Sequence, residues 1–364
     1  MFMKKYGKII AVIFTAAFGG FCLLDPVSAK AAVYDGMRRC METVIPSLYA
    51  MMAASGLLLS TGAISAAGRY ADKFSRFVFG MSGETFAAFL FSMIAGYPVG
   101  AKMICTRYRD GEISRSHGEL CSGICFGAGS AFIYGCAASR LSEGKFILLS
   151  VVSANIITAL ILSPWLRRKL SSVEKVHREI SFSPAMLTDC VSSAGRSMAE
   201  ICFAVAAFSV LTAMLQKVGV ISLFGTALSN LLGYSAQTSE SLICALLDVT
   251  AISGFPDMDY GLMPVKAALV SFGGVCVFVQ ISAIFRGKLR IIPLISIRAA
   301  AAVISGIICR MLLPVYLSGE AVTAAAMNPR LHRAVSPVPS IMLMIMTAML
   351  FAESSKRRKK GSPM

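Results

Sequence analysis

Charged residues are scarce in this chain. Asp, Glu, Lys and Arg make up 15% of its 364 residues, whereas soluble proteins average about 25%. Because 56% of the residues are hydrophobic, one soluble core could not bury them and still present a polar surface. The composition therefore excludes a disordered chain and an ordinary cytosolic domain. The mean hydropathy of +0.71 indicates that the solvent is a lipid bilayer.

Patterns for metal binding and catalysis are also lacking. The histidines, His117, His177 and His332, are too few and too widely separated to predict a zinc site. The eleven cysteines are scattered, and several lie in apolar runs, where a free thiol packs as a small hydrophobic group. No phosphate-binding loop, zinc-protease helix or hydrolase elbow occurs. We therefore expect no enzyme, no metal and no cofactor.

Positive charge is in excess, with a formal net charge of +16. Cytoplasmic loops of membrane proteins carry the surplus of Lys and Arg, and most of them fall on inner segments if the N-terminus lies inside. The basic tail from Lys356 to Lys360 is expected to meet anionic headgroups. The inner segments and the tail therefore account for the positive charge, and a nucleic-acid partner is not needed to explain it. We predict a multi-pass protein of the cell membrane with both termini cytoplasmic.

The N-terminal segment has two interpretations. Three lysines precede an apolar run, which ends at Val27-Ser28-Ala29, a tripeptide that resembles a signal-peptide cleavage site. Retention gives a first membrane span, whereas cleavage at Ala29 would remove that span and leave the orientation of the rest unchanged.

Apolar runs recur along the chain. A bilayer core needs about 20 apolar residues in a helix. Eight candidate spans meet or approach this length: 9–24, 44–64, 118–137, 146–166, 198–216, 264–285, 291–317 and the shorter 338–352.

Two further apolar runs, 84–104 and 239–257, are interrupted by Gly-aromatic-Pro steps. These steps are Gly96-Tyr97-Pro98 and Gly254-Phe255-Pro256. Proline removes a backbone donor, so such backbone must be buried in protein or face a wet cavity. We predict that both runs are re-entrant or discontinuous helices that return to the side from which they entered.

The two halves of the chain resemble each other, and the predicted spans place them in opposite orientation. Interrupted segments at matching positions of inverted halves point to a transporter site near the bilayer midplane. Chance similarity between apolar helices is the alternative. The predicted fold is therefore an all-α polytopic membrane protein with about eight transmembrane helices and two re-entrant or discontinuous helices in an inverted-topology repeat. Its parts are the N-terminal span or signal-like segment (1–30), the first repeat (36–170), the inverted second repeat (185–320), and the C-terminal span and tail (321–364).

Two ionisable residues lie near the breaks. Lys102 follows the first break and could offer its ammonium group to an anionic solute, or it could reach the inner interface by snorkelling. Asp248 precedes the second break, where a carboxylate at depth needs a partner, for which Lys102 and Lys266 are the candidates. Asp248 could bind a coupling cation or proton, or only neutralise a lysine.

The remaining site candidates are polar or permit close backbone approach. Gln280 needs hydrogen-bond partners that a solute or a helix could supply, and Arg298 is the better solute ligand of the two arginines in its span. Helix packing is an equal explanation for the glycines. The predicted solute-binding residues are Gly96, Tyr97, Pro98, Gly100, Lys102, Asp248, Gly254, Pro256, Gln280 and Arg298.

The assembled motifs resemble the bacterial sporulation integral membrane proteins that carry the nucleoside-recognition, or Gate, domain. The resemblance covers roughly residues 5–320, which makes each repeat Gate-like, and the run from Gly96 to Lys102 is its most specific part. The other residues that carry it are Glu42 to Leu48, Gly111, and Ser271 to Gly274 with Gln280. The chain departs from the family pattern at Asp248, where a glutamate is expected, and after Pro256, where Gly-Ala-Lys is missing.

The resemblance implies a protein of spore-forming bacteria that acts in spore maturation, with a transport role for which dipicolinate is the suggested solute. We therefore expect a transporter that moves a small organic anion or a nucleoside-like solute by alternating access. The alternative is a membrane scaffold for spore assembly that transports nothing. Expected partners are the solute and membrane lipids, with a homo-oligomer as an option, and nucleic acid is not among them.

Overall fold

A computed structural model describes residues 2–137, 141–169, 180–255 and 260–326 of the chain. Within these ranges the protein is built from helices and contains no strand. The chain divides into two compact units, Met1–Tyr316 and Leu317–Met364, and the description below concerns the first. The predicted span 338–352 and the basic tail lie outside the described residues.

The first half of the chain begins with two long stretches of helix, continues with shorter helices and ends with a long one. A π-helical turn, Cys40–Val44, joins the second and third helices, and another, Ile133–Ala137, follows the eighth. The helices are α1 (Phe2–Leu24), α2 (Pro26–Arg39), α3 (Ile45–Ser60), α4 (Ala63–Val78), α5 (Gly83–Ala95), α6 (Val99–Arg109), α7 (Arg115–Ile124), α8 (Ser130–Phe132) and α9 (Leu141–Lys169).

The second half repeats this order with one long helix, several short ones and a long final helix. Two 3-10 segments, Val249–Gly254 and Tyr260–Leu262, follow its third helix. The helices are α10 (Pro184–Lys217), α11 (Val220–Leu232), α12 (Ala236–Leu247), α13 (Met263–Phe272), α14 (Gly274–Phe285) and α15 (Ile292–Ala326).

Five stretches of helix among the described residues are long and apolar enough to cross a membrane, or six if the bent pair α4 and α5 forms one span. The protein is thus an all-α polytopic membrane protein. The five stretches are Pro26–Ser60, Glu143–Arg168, Pro184–Lys217, Tyr260–Phe285 and Ile292–Ser318. The predicted total of eight stays a prediction.

Three predicted spans differ from the structure, and one of them, 264–285, is interrupted at Gly273. The predicted span 44–64 begins much earlier, because the helix starts at Pro26, where Asp25 accepts from the Ser28 amide, and continues through the π-helical turn to Ser60. The predicted span 118–137 is not continuous, because α7 ends at Ile124 and the chain is non-helical up to Gly129. The glycine-rich stretch between Ile124 and Ser130 is therefore a break in the helix.

The equivalent long helices of the two halves run antiparallel. At one end, the Lys217 ammonium lies 3.0 Å from the Asp25 carboxylate. At the other end, the Ser181 amide donates to the Thr61 carbonyl oxygen at 3.1 Å. The contacts join the start of α2–α3 to the end of α10 and the end of α3 to the approach to α10. This antiparallel arrangement is what an inversion of the two halves requires, and the inverted repeat itself stays a prediction.

Short helices follow these antiparallel helices in the same order in both halves. A left-handed glycine, Gly62 or Gly219, turns the chain into an amphipathic helix, α4 or α11. A serine then caps the next helix, Ser82 for α5 and Ser235 for α12. From the sequence, the polar triplets Ser82-Gly83-Glu84 and Thr238-Ser239-Glu240 predict the starts of these two helices. The first is confirmed at Ser82, and the second is wrong because Thr238 to Glu240 already lie within α12.

The first predicted re-entrant helix is a hairpin of α5 and α6. Its two ends meet, because Arg107 near the end of α6 donates to Glu84 and Thr85 at the start of α5, at 2.8 Å and 2.5 Å. The two ends of the hairpin therefore lie together, as a re-entrant helix requires. In the second half, α12 ends at Leu247, so the break equivalent to Gly96 is at Asp248 rather than at the predicted Gly254.

Candidate solute site where the chain breaks meet

The break between α5 and α6 lies against the non-helical stretch between α7 and α8. The Tyr97 amide donates to the Gly127 carbonyl oxygen at 2.7 Å, and the Tyr97–Pro98 peptide bond is cis. A side chain on Gly129 would lie 2.7 Å from the carbonyl oxygen of Ile94. The two interrupted segments of the first repeat therefore touch through their backbones.

Gly100 brings the start of α6 against the end of α7. A Cβ atom there would overlap the carbonyl oxygen of Cys125 and lie 2.5 Å from the Cβ of Ser92. This is the close backbone approach that glycine permits. Gly100 therefore has a packing function here, and a function in solute binding stays a prediction.

The break in the second repeat reaches the same place. Gly273, with φ +95°, separates α13 from α14, and a Cβ atom on it would lie 2.7 Å from the Phe126 ring and 3.6 Å from the Tyr97 ring. A Cβ atom on the next residue, Gly274, would lie 3.2 Å from the Leu246 carbonyl oxygen at the end of α12. The interrupted segments of both repeats thus converge around Tyr97 and Phe126.

Aromatic rings fill this meeting point. We call the set Tyr97, Phe126, Phe132, Phe272 and Phe278 the aromatic cluster. The ring of Tyr97 stacks on that of Phe126 with centroids 5.0 Å apart, and the Phe126 and Phe278 centroids are 5.8 Å apart. Offset-stacked rings of this kind attract each other and offer flat apolar faces. The two repeats therefore meet at a set of packed aromatic rings.

The hydroxyl group of Tyr97 is buried and has no hydrogen-bond partner within the described part of the chain. The residue is 4% exposed. An unsatisfied buried hydroxyl costs about 1–3 kcal/mol, and native proteins contain few of them. The hydroxyl therefore lies in the aromatic cluster with its hydrogen-bonding capacity unused.

Arg298 of α15 is fully buried beside the aromatic cluster, with its guanidinium carbon 5.2 Å from the centre of the Phe126 ring. It donates to the carbonyl and hydroxyl oxygens of Ser271, to the Gly123 carbonyl oxygen and to the Asn155 side-chain oxygen. An arginine has five N–H donors, and all of them are used in these contacts. Arg298 therefore has no free donor for a solute in this conformation.

Asp248 is 3% exposed and accepts from the amide and hydroxyl groups of Thr250. Its charged neighbour is Arg39, whose guanidinium nitrogen lies 3.6 Å from the carboxylate. The predicted lysine partners are wrong: Lys266 pairs with Glu143 at 3.1 Å and Lys102 donates to Ser197. Arg39 precedes the predicted span 44–64, and the earlier start of the helix at Pro26 brings it to Asp248.

Lys102 lines a cavity of about 380 Å³ between α3, α4, α10 and the α5–α6 hairpin. Its ammonium group donates to the Ser197 hydroxyl at 2.8 Å. The cavity also has an apolar wall that includes Met52, Leu59 and Met103. Its charged lining residues are Glu84, Lys102, Arg107, Asp110, Glu112 and Asp189. The four carboxylates outnumber the two cations.

Three predicted solute-binding residues remain, namely Gln280, Gly254 and Pro256. Gln280 is buried in α14 and donates to the Cys276 sulfur at 3.3 Å, one turn back on its own helix. Gly254 ends a 3-10 segment rather than forming the break itself. Pro256 lies outside the described residues. None of the three is joined to the Tyr97 break by a described contact.

A buried ionic network around Arg107 was missed in the sequence. Arg107 is 2% exposed and bonds Glu84 and Glu112 at 2.8 Å and 2.9 Å. Glu84 also accepts from the Ser65 hydroxyl, which joins α4 to the hairpin. In the sequence, Arg107 is followed by Arg109 and Arg115 and so resembles the start of a basic loop. Its position two residues before the helix end carries no signal of burial.

Among the described residues, His, Cys, Asp and Glu side chains form no group of three that could hold a metal ion. No family model matches the chain, and no curated protein matches it. A solved structure of a point variant of CNTnw, in a state named intermediate 1, is similar over 85% of this chain and 86% of that chain, with 13% identity and a TM-score of 0.43. At that identity and TM-score the similarity does not indicate a shared function.

Proposed function

We propose that this membrane protein is a secondary transporter that moves a small polar solute by alternating access. The observation that carries the proposal is the convergence of the interrupted segments of both repeats on Tyr97. Interrupted helices of inverted repeats form solute sites because they release backbone groups at depth. A protein that only scaffolds others has no need to bury such breaks together.

The chemistry of the meeting point favours a planar solute. The aromatic cluster offers ring faces, and the Tyr97 hydroxyl offers an unused donor and acceptor. A solute ring inserted between Tyr97 and its neighbours would replace one stacking contact by another while satisfying the hydroxyl. Both solute classes expected from the sequence, nucleoside-like molecules and dipicolinate-like anions, contain such a ring.

The charges along the cavity distinguish these two classes. Arg107 is paired with Glu84 and Glu112, and the lining also contains Lys102, Asp110 and Asp189. An anion entering this cavity would meet more negative than positive groups, and in a partly buried site that repulsion is weakly screened. A nucleoside-like solute without net charge is therefore favoured, and the dianion is the second candidate.

The cavity is the proposed entry for the solute on one side of the protein. Its volume lies within the range of about 300–1,000 Å³ typical of small-molecule sites, and Lys102 lies on the helix that starts directly after the Tyr97 break. Basic segments gather near this end of the molecule, where Arg109 bonds the Ile284 carbonyl oxygen and Glu119 accepts from the Arg290 amide. Under the positive-inside rule the cavity opens to the cytoplasm.

Asp248 is the proposed coupling group. The Asp248 carboxylate, at the end of α12, compensates the positive charge of Arg39. Protonation of Asp248 would remove this attraction, release Arg39 and so loosen the second break. The spore-maturation setting implied by the family resemblance is part of the same proposal. Lys102 contributes the cationic donor that meets the solute on its way in.

Uptake into proteoliposomes tests the proposal. Labelled nucleosides and labelled dipicolinate are offered under proton and sodium gradients of either sign, with the wild type, Lys102→Met and Lys217→Met. We expect the wild type to accumulate nucleosides and Lys102→Met to accumulate about tenfold less. A tenfold reduction corresponds to the loss of roughly one charged hydrogen bond. Lys217→Met is the matched control, because Lys217 is exposed and pairs with Asp25 far from the cavity.

The outcomes separate the functions. No flux of any solute under any gradient would favour the scaffold. Dipicolinate uptake without nucleoside uptake would keep transport and reverse the solute assignment. Equal losses in Lys102→Met and Lys217→Met would remove Lys102 from the route. Asp248→Asn should abolish the dependence of uptake on a proton gradient, and a retained dependence would remove Asp248 from coupling.

A further inference from the structure

Arg298 joins equivalent positions in the two repeats. Gly123 is the next-to-last residue of α7 and Ser271 is the next-to-last residue of α13, and each helix has ten residues. The Arg298 guanidinium donates to the carbonyl oxygen of both, at 3.3 Å to Gly123 and at 2.6 Å to Ser271. One side chain from α15 therefore closes the carboxyl ends of both interrupted helices.

The oxygen atoms around this guanidinium form a set that suits a small hard cation. They are two helix-end carbonyl oxygens, the Ser271 hydroxyl at 2.8 Å and the Asn155 amide oxygen at 2.9 Å. The carboxyl end of a helix carries a partial negative charge. In transporters built from inverted repeats, unwound carbonyl groups and half-helix carboxyl ends coordinate the coupling Na⁺.

No carboxylate balances Arg298 among the described residues, since none of the ion pairs found there includes it. A buried charge needs compensation. The two helix ends and the face of the Phe126 ring, 5.2 Å from the guanidinium carbon, provide it. The oxygen atoms and the ring face therefore form a cation site, and the Arg298 guanidinium is the cation in it.

We propose that Arg298 is a tethered cation that occupies the site between the two interrupted helices, so that the protein needs no free Na⁺ or K⁺ there. The guanidinium is a positioning group, because it holds the Gly123 and Ser271 carbonyl groups together beneath the aromatic cluster. This inference concerns the ion requirement of the fold and stands apart from the identity of any solute.

Thermal unfolding of the purified full chain in detergent tests the inference without a solute. The midpoint is measured in NaCl, KCl and choline chloride at equal ionic strength. We expect the same wild-type midpoint in all three salts. Arg298→Ala should unfold several degrees lower, and millimolar Na⁺ or methylguanidinium, but not choline, should raise its midpoint again. Arg310→Ala is the matched control, because Arg310 lies on the same helix and is exposed.

Two results would overturn the inference. Selective stabilisation of the wild type by Na⁺ or K⁺ would show that a free ion is still required. An Arg298→Ala protein with a lowered midpoint and no more response to ions than Arg310→Ala would show that the side chain only fills space. If Arg298→Ala cannot be purified, Arg298→Lys takes its place, and the wild-type comparison decides on its own.

Discussion

The amide of Tyr97 donates a hydrogen bond to the carbonyl oxygen of Gly127 at 2.7 Å. This bond joins the turn of the α5–α6 hairpin to the gap between α7 and α8. Backbone groups released by two separate interruptions therefore satisfy each other, as backbone buried at membrane depth must be satisfied within the protein. The bond also holds the Tyr97 ring against Phe126, which places the unused hydroxyl in the aromatic cluster.

Tyr97→Phe separates the structural and the solute-binding contributions of this residue. Since the hydroxyl makes no described hydrogen bond, its removal should leave the free energy of unfolding unchanged or raise it by about 1 kcal/mol. Solute uptake should nevertheless fall, because the solute loses its partner. Thermal unfolding and uptake of the same preparation give both values.

Tyr70→Phe is the control for that experiment, since Tyr70 is 95% exposed. It should change neither quantity. A marked loss of stability in Tyr97→Phe would mean that the hydroxyl has a partner in the folded protein, and the assignment of an unused group would then be wrong.

Gly100→Ala tests the backbone contact between α6 and α7. The added methyl group would overlap the Cys125 carbonyl oxygen, so one helix must shift, at a cost of about 1–3 kcal/mol for overpacking. The melting temperature should fall and uptake with it. Gly195→Ala is the control. Gly195 also lies within a helix, but a Cβ atom added there would have no packing neighbour within 4 Å.

Gly195→Ala should leave the free energy of unfolding unchanged or raise it by about 0.5–1 kcal/mol, because alanine is a better helix former than glycine. Equal melting temperatures for Gly100→Ala and Gly195→Ala would show that α6 and α7 are not in close contact.

Arg107→Met removes the centre of the ionic network at the ends of the hairpin. Two carboxylates, Glu84 and Glu112, would stay buried without their partner, and such a loss costs about 3–5 kcal/mol. We expect a large drop in the melting temperature. Arg115→Met removes an exposed pair with Glu119 and should cost about 0–1 kcal/mol. If the two variants unfolded alike, the burial of Arg107 would be refuted.

The orientation in the membrane can be measured by labelling introduced cysteines with an impermeant reagent in intact cells. Asp110→Cys and Lys288→Cys lie in exposed turns at the end with the basic segments, and Gln237→Cys lies at the exposed start of α12. We expect only Gln237→Cys to be labelled, with the native cysteines as background. If one of Asp110→Cys and Lys288→Cys were labelled and the other were not, these residues would lie on opposite faces, which would contradict the inverted arrangement.

The sequence predicts the class of the protein and the position of the first break, because both depend on local signals. The apolar runs and Gly96-Tyr97-Pro98 are such signals, and the structure has long apolar helices and a hairpin there. The interruption between Ile124 and Gly129 was read as an ordinary span, because its glycines also suit helix packing.

Partnerships across the fold could not be predicted in the same way. Asp248 needed a cation, and proximity in sequence to the breaks suggested lysines, but the partner Arg39 comes from a helix at the other end of the chain. The use of every Arg298 donor by main-chain and side-chain oxygens likewise depends on three separate helices and their connections. Such contacts follow from tertiary packing, which no local pattern encodes.

The ion pair of Asp25 with Lys217 and the hydrogen bond of Ser181 to Thr61 fasten one antiparallel pair of long helices at its two extremities. Contacts at both ends keep these two helices in register. If the protein is the transporter proposed above, the short interrupted segments would make the movement that exposes a central site to each side in turn, and their length would limit how far a solute is carried in one cycle.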